Sequence, residues 1–401
     1  MIHVDVESFF AIVLVSALAA VTVAVLPARL APPVVVVELF LGILIGPQVL
    51  HLADSDEFVA FFANLGLGML FFFAGYEIDF ERIRGEPMKL GGVGWLLSVV
   101  LAFAIGAVLA ALGWIDTFLY VGAAMATTAI GTLIPILRDG GQLRTRFGTY
   151  LLAAGGAGEF GPVILVALFL STDHPIHEAA ILVAFVAMAI GVALASVRLA
   201  GRGWNAFERT FEASSQLAVR VTVVLVFGLV LLASKIGLDV LLGGFVAGLI
   251  TRLALQGHEL AIFESKLTAV GFGFFVPFFF VTSGIAFDLD ALGSADALAK
   301  LAMFFALFLV VRGTPALLLY RGVLDRCERA ALALYSATEL PLVVAITTIA
   351  VDAGHMRTST AAGLVGAAML STLVFPFAAA AILRGQLAFG SAAPWGTGQT
   401  G

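Results

Sequence analysis

Charge is scarce in this chain. Asp, Glu, Lys and Arg make up 12% of its 401 residues, against about 25% in an ordinary soluble domain. So little charge cannot cover the surface of a body of this size in water, which excludes a large soluble enzyme. Cysteine is nearly missing: Cys327 stands alone, so no disulfide closes within the chain and a disulfide scaffold is excluded. Walker and Rossmann motifs are lacking too, which argues against an ATP-driven pump on this chain and against a nucleotide cofactor. The histidines (His3, His51, His174, His177, His258 and His355) are scattered in loops or at the chain start. No resident metal and no other cofactor is expected. The net charge of −6 is mild and dilute, so no nucleic-acid partner is expected.

What the chain has in excess is apolar sequence, at 61% of residues and a mean hydropathy of +1.09. The apolar runs are long and unbroken and do not alternate every second residue, which selects helices over a β-barrel. A membrane helix takes roughly 20 such residues. Spans are expected at 8–26, 31–50, 57–76, 88–113, 116–137, 147–171, 179–197, 216–234, 239–254, 266–286, 297–320, 329–352 and 359–383. This describes an all-α polytopic membrane protein of about thirteen helices. The start carries Asp5 and Glu7 but no Lys or Arg through Phe10, unlike a signal peptide, so the first helix is expected to be retained. Of 21 Lys and Arg residues, only Lys235, Lys300 and Arg357 fall in even-numbered loops, and Arg312 falls within a span. All others lie in odd-numbered loops or the C-terminal tail, which predicts an external N-terminus and a cytoplasmic C-terminus in a cell membrane. The tail after about Gln386 reads as disordered, and no regulatory nucleotide-binding domain is expected on the chain.

Two stretches echo each other. Gly66 to Asp79 and Gly271 to Asp288 are each a Phe-rich helix ending at a Gly, with an acid shortly after. The preceding helices match too, Leu41–Gly46 against Gly244–Gly248. Helices 2 and 3 thus correspond to helices 9 and 10. An odd offset makes the copies run in opposite directions, and such inverted repeats are typical of secondary transporters.

A charge near the bilayer centre costs at least about 2.5–3.5 kcal/mol, so Glu38, Glu159, Arg312 and Glu339 each need a reason. Glu159 sits among small residues, in Gly155-Gly156-Ala157-Gly158-Glu159, with Pro162 following. Small residues let another backbone approach closely. Glu339 lies in Ser336-Ala337-Thr338-Glu339-Leu340-Pro341, and Thr127-Thr128 with Gly131 and Pro135 marks helix 5 in the same way. Two interrupted helices in corresponding positions point to a site between them, although a single Ser or Thr commonly bonds its own backbone. Arg312 stays charged and is expected either to pair with Glu339 or Glu159 or to snorkel toward the cytoplasmic face. Glu38, after Pro32-Pro33, is the least certain candidate and can reach an interface or a helix partner.

At these residues the chain resembles the second monovalent cation–proton antiporter family, which includes Kef-type potassium efflux proteins and NapA-type sodium–proton antiporters. Leu26 to Pro47 resembles its first signature, Gly66 to Asp79 its second and Phe274 to Asp290 a later one. Glu339, with Ser336 before it, sits where Kef-type proteins carry a Gly-Glu-Phe run. The likeness spans roughly 8–383. It implies a dimer domain from 1–87 and 216–290, a core transport domain from 88–172 and 291–384, a linker helix in 173–215 and a disordered tail at 385–401. It also implies that unwound helices 5 and 12 cross beside the ion site. Relatives usually carry Asp-Asp, Asn-Asp or Gln-Asp where this chain has Gly158-Glu159. Arg312 matches the helix where electrogenic relatives have Lys and many electroneutral ones have Arg.

The expected function is therefore exchange of Na⁺ or K⁺ for H⁺ by a homodimer embedded in lipid, serving pH homeostasis, and not an enzymatic reaction. The expected cation and proton site is Glu159, Thr127, Thr128, Ser336, Thr338 and Glu339, with Arg312 and Glu339 as a structural ion pair. Two alternatives stand beside it: an organic-anion symporter of related fold, and a membrane receptor or scaffold that has lost the ion site.

Overall fold

The computed structural model of the protein describes residues 5–27, 32–76, 80–139, 141–169, 217–235, 240–254 and 259–390, with 187 and 191 besides. Every expected span except 179–197 coincides with a helix or a broken helix. That span, the linker around it, Asp79, Arg29 and the tail beyond Gly390 lie outside the described residues. The helices are α1 (Val6–Val25), α2 (Val34–Ile45), α3 (Glu57–Tyr76), α4 (Glu86–Ala111), α5 (Phe118–Met125), α6 (Ile130–Asp139), α7 (Arg146–Phe169), α8 (Leu217–Lys235), α9 (Val240–Ala254) and α10 (Glu259–Val270). A π-turn, Gly271–Phe275, joins α10 to α11 (Val276–Ile285). Then follow α12 (Ala295–Leu319), α13 (Arg326–Ser336), α14 (Pro341–Asp352) and α15 (Thr358–Gly390). The last helix runs past the expected boundary at 384. No strand occurs among the described residues.

Local chemistry sets the helix ends. Asp5 caps α1 by accepting the N–H groups of Glu7 and Ser8, and Ser294 caps α12 through Ala297. Asp325 and Glu328 form a reciprocal capping box on α13, each satisfying a backbone donor that the first helical turn leaves over. Among the described residues, seven helical stretches are long and apolar enough to cross a membrane, and three shorter apolar ones accompany them. Val6, Phe10, Leu14, Leu18, Val21 and Val25 are exposed along one face of α1, a surface suited to lipid and not to water.

The helices form two bundles. In the first, α3 packs on α9, α2 on α11, α8 on α9, and α1 on α2 and α11. In the second, α4 packs on α7 and α5, and α12 and α13 pack on α15. The bundles meet where α7 touches α9 and α3, and where α6 touches α3. Phe160 of α7 stacks on Phe245 of α9 across this boundary, with ring centroids 4.9 Å apart. At one end of the second bundle, Arg357 pairs with Asp116 at 2.7 Å and Lys300 with Asp296 at 2.7 Å. The first pair ties the start of α5 to that of α15; the second lies within α12, which joins α15 through Lys300 Nζ, donating to Ser359 Oγ at 3.4 Å.

The inverted repeat is visible in the contacts. A Cβ at Gly248 of α9 would strike the Phe72 carbonyl of α3, and one at Gly42 of α2 would strike the Val281 carbonyl of α11. Phe72 stands three residues before Gly75, and Val281 three before Gly284, so the two carbonyls are equivalents under the repeat; the contacts then match Gly42 with Gly248, one turn from the expected register of Leu41–Gly46 against Gly244–Gly248. A Cβ at Gly66 would meet the carbonyl of Phe275, and these two positions are each nine before Gly75 and Gly284. That contact maps onto itself, which places the pseudo-two-fold axis between α3 and the π-turn. Backbone approach through glycine is how membrane helices gain dispersion contacts where no hydrophobic drive operates between them.

Candidate functional site

Both expected interruptions are present. Between α5 and α6 the chain leaves the helix at 126–129, and between α13 and α14 at 337–340. The second break has a steric cause. Pro341 opens α14 and Leu340 before it is forced out of helical geometry, at φ −156 and ψ −61, as a residue preceding proline tends to be. The first break rests on hydroxyl competition: Thr127 Oγ1 donates to the Ala124 carbonyl at 2.9 Å. Thr338 Oγ1 likewise donates to Leu334 at 3.2 Å.

The breaks cross in direct contact. The Ala129 N–H donates to the Thr338 carbonyl at 2.8 Å, and the Thr128 N–H donates to the Gly158 carbonyl at 3.0 Å. Thr128 Oγ1 donates to the Ser336 carbonyl at 2.6 Å. Backbone groups freed by unwinding are thus satisfied partly across the crossing and partly by the neighbouring helices, a condition for non-helical backbone at membrane depth.

Arg312 corrects one expectation. It is 3% exposed, so it does not snorkel, and it forms no ion pair with Glu339. Its Nε donates to Thr128 Oγ1 at 3.0 Å and to the Ser336 carbonyl at 3.4 Å. Nη2 donates to Thr128 Oγ1 at 2.7 Å and to the Ala154 carbonyl at 3.1 Å. Nη1 donates to Ser98 Oγ at 3.2 Å. None of these acceptors is a carboxylate. The planar fork reaches four neutral groups on four helices or breaks, a geometry that a point charge such as Lys cannot reproduce. Arg312 and Glu339 act on each other only through space.

Glu339 lies in the second break and is fully buried, with neither carboxylate oxygen hydrogen-bonded among the described residues. Its backbone is clamped by α15: its N–H donates to Ser371 Oγ at 3.0 Å, and its carbonyl accepts from Thr372 Oγ1 at 3.2 Å. Glu159 is also buried and sits between Gly158, whose carbonyl joins the crossing, and Phe160, whose ring reaches the first bundle. The site therefore brings Thr127, Thr128, Ser336, Thr338, Glu339 and Arg312 together, with Glu159 at its edge toward the bundle boundary. Glu38 is not among them. It is buried in α2, in the other bundle, which fits the helix-partner alternative and not the interface one.

Several residues that hold this site were not singled out from the sequence. Ser98 on α4 bridges Arg312 and the Val311 carbonyl. Trp95 Nε1 donates to the Ala126 carbonyl at 3.2 Å, capping the end of α5. The adjacent hydroxyls Ser371-Thr372 in the middle of an apolar span were a usable signal; a single Ser or Trp is not. Among the described residues no group of His, Cys, Asp or Glu large enough to hold a resident metal occurs.

Buried carboxylates beside two crossed, interrupted helices, in an inverted repeat of membrane spans, define a secondary-transporter architecture. The chain belongs to the transmembrane sodium/hydrogen exchanger family, whose pattern it matches over residues 13–385. It is 25% identical over 368 residues to a putative Na(+)/H(+) antiporter of Bacillus subtilis, covering 87% of this chain and 58% of that protein. The chain thus spans less than two thirds of that relative's length. It is 29% identical to the Na(+)/H(+)-K(+) antiporter GerN of Bacillus cereus, covering 67% of this chain and 69% of that one. The structure of the sodium–proton antiporter MjNhaP1 from Methanocaldococcus jannaschii has the same fold, with a TM-score of 0.62 at 18% identity, over 95% of this chain and 98% of the other.

Proposed function

We propose that the chain exchanges a monovalent cation, Na⁺ or K⁺, for H⁺ across a cell membrane, one for one, at Glu159. The observation that carries this reading is the state of Arg312: its hydrogen bonds all go to neutral groups. No contact ion pair with the guanidinium withdraws a carboxylate from the exchange. A carboxylate out of water favours a neutralising charge, and a proton and a dehydrated cation can each supply it. Competition for that one position couples the two ions.

The surrounding oxygens suit a hard cation. The hydroxyl hydrogens of Thr127 and Thr338 turn back onto their own helices, which leaves oxygen lone pairs for an ion. Thr128 differs, because Arg312 takes its acceptor capacity; it acts as a strut. Alternating access follows if the second bundle (88–172 and 291–384) slides past the first (1–87 and 216–290), which the sparse boundary contacts favour. We assign the first bundle to a homodimer interface and place the N-terminus outside and the C-terminus in the cytoplasm, on the loop charges. The names of the relatives divide between Na⁺ alone and Na⁺ with K⁺, which keeps both cations open.

The test is proteoliposomes holding a pH dye and challenged in turn with Li⁺, Na⁺, K⁺ and Rb⁺. Proton movement driven by Na⁺ or K⁺ supports exchange. Folded protein that moves no protons with any of the four overturns it, and uptake of labelled organic anions by the same vesicles would turn the reading to a symporter.

A further inference from the structure

A small cavity lies beside Arg312, lined by Gly91, Gly94, Trp95, Tyr320 and Ser336 among others, with room for about one water molecule. Two unused hydrogen-bonding groups border it. The guanidinium has five N–H groups. Nε and Nη2 use theirs on Thr128, Ser336 and Ala154, while Nη1 has only Ser98 as acceptor. One Nη1 N–H is therefore left over. Tyr320 also lines the cavity; it is 2% exposed, and its hydroxyl has no partner among the described residues. Its ring is fixed edge-on to Tyr150, with centroids 5.9 Å apart, and Tyr150 in turn donates to Glu86 at 2.8 Å. The ring is thus held in place.

Two buried polar side chains on the wall of one small, otherwise mostly apolar cavity call for a common partner, because an unpaired buried polar group costs about 1–3 kcal/mol. We propose that this cavity is a built solvent site, in which one water accepts from Arg312 Nη1 and hydrogen-bonds to the Tyr320 hydroxyl, with Ser336 as a third polar neighbour. The water completes the solvation of the guanidinium by neutral groups. Tyr320 is then a positioning residue, acting through the water to hold Arg312 away from Glu339. That last consequence rests on the exchange reading, whereas the solvent site does not.

The two are tested separately. X-ray radiolytic footprinting of the full chain in nanodiscs reports bound water, because radicals form from it next to buried side chains. Tyr320 should be labelled several-fold faster than Tyr335, which is equally buried and does not line the cavity. Equal, slow labelling of both would overturn the site. Ala316→Val, which fills the cavity wall, should bring Tyr320 down to the rate of Tyr335; unchanged labelling in folded protein counts against it. If bromide or iodide, compared with gluconate, raises the melting temperature of wild type and not of Tyr320→Phe, the occupant is an anion and the water assignment is wrong. For the positioning role, Tyr320→Phe should raise the cation KM several-fold with little change in kcat. An unchanged KM removes that role and leaves the footprint to decide the water. Wild-type protein that moves no protons sinks the exchange reading and not the solvent site.

Discussion

Gly158 offers the sharpest test of how the site is packed. It precedes Glu159, and its carbonyl accepts the Thr128 N–H at 3.0 Å. A methyl group there would run into Arg312 Nη2 and into Oγ1 and Cβ of Thr128. The arginine tip is flexible in principle, but here Nη2 is bonded to Thr128 at 2.7 Å and to Ala154 at 3.1 Å. Thr128 cannot retreat either, because its hydroxyl and N–H are both tied into the crossing. Overpacking of this kind costs about 1–3 kcal/mol, and each bond from a charged donor that is lost adds about 1.5–3 kcal/mol. Gly158→Ala is therefore expected to lose about 3 kcal/mol, near the lower end of the sum of those ranges. The assay is thermal unfolding at one scan rate in one detergent, run as a cycle with Arg312→Ala. Without the guanidinium the methyl meets only Thr128, so the second Gly158→Ala substitution should cost at least about 1 kcal/mol less than the first. Effects additive to within about 0.5 kcal/mol would show that the guanidinium does not occupy the space beside Gly158. Such a result would remove the physical reason for glycine where relatives carry a polar residue.

Arg312→Ala should melt lower than Arg312→Lys, by about 2 kcal/mol, since Lys keeps part of the bonding to Thr128 and Ser98; equal melting temperatures would deny the fork its structural role. Glu159→Gln should abolish exchange, and a valinomycin-imposed potential should leave wild-type Na⁺–H⁺ exchange unchanged in rate. A rate that follows the potential would make Glu339 a second proton carrier. Tags at the N- and C-terminus should be labelled from opposite sides of the membrane, and labelling from one side refutes the span count. Asp56 accepts the N–H groups of Asp5 and Val59, each at 2.7 Å, and these bonds hold its carboxyl below the usual range. Asp56→Ala should cost about 1 kcal/mol at neutral pH. That difference should vanish as pH falls through the lowered value, because protonation removes the same bonds from the wild type; a gap that persists in acid would refute the linkage.

The residues that carry backbone consequences were legible before any coordinates. Pro341 and the Thr127-Thr128 pair mark the breaks because proline sterics and hydroxyl competition are local. The spacing of Gly75 and Gly284 marks the repeat because close approach demands glycine. The partner of Arg312 was not legible. Depth in the membrane can be read by counting residues, but direction around a helix axis is set by packing. The carbonyls of Ser336 and Ala154 also carry no side-chain signature at all. Trp95, Ser98 and Tyr320 escaped for the same reason, since each is an unremarkable residue whose meaning comes from the element opposite. The π-turn at Gly271–Phe275 carries no sequence signature that separates it from plain helix, because its Gly-Phe composition serves either geometry.

Phe160 and Phe245 close the account of the bundle boundary. A ring stack adds only about 0.5–1.5 kcal/mol beyond the area it buries, yet this one joins the bundles at the residue next to Glu159. A fastening that weak can open and reform many times within a transport cycle without setting its pace. Because it shares a helical turn with the acid, any slide that carries Glu159 to a new exposure must also unseat the ring. Under the proposed exchange, the position of one phenylalanine reports where the Glu159 carboxylate faces, and a fluorinated ring at that position would signal each crossing.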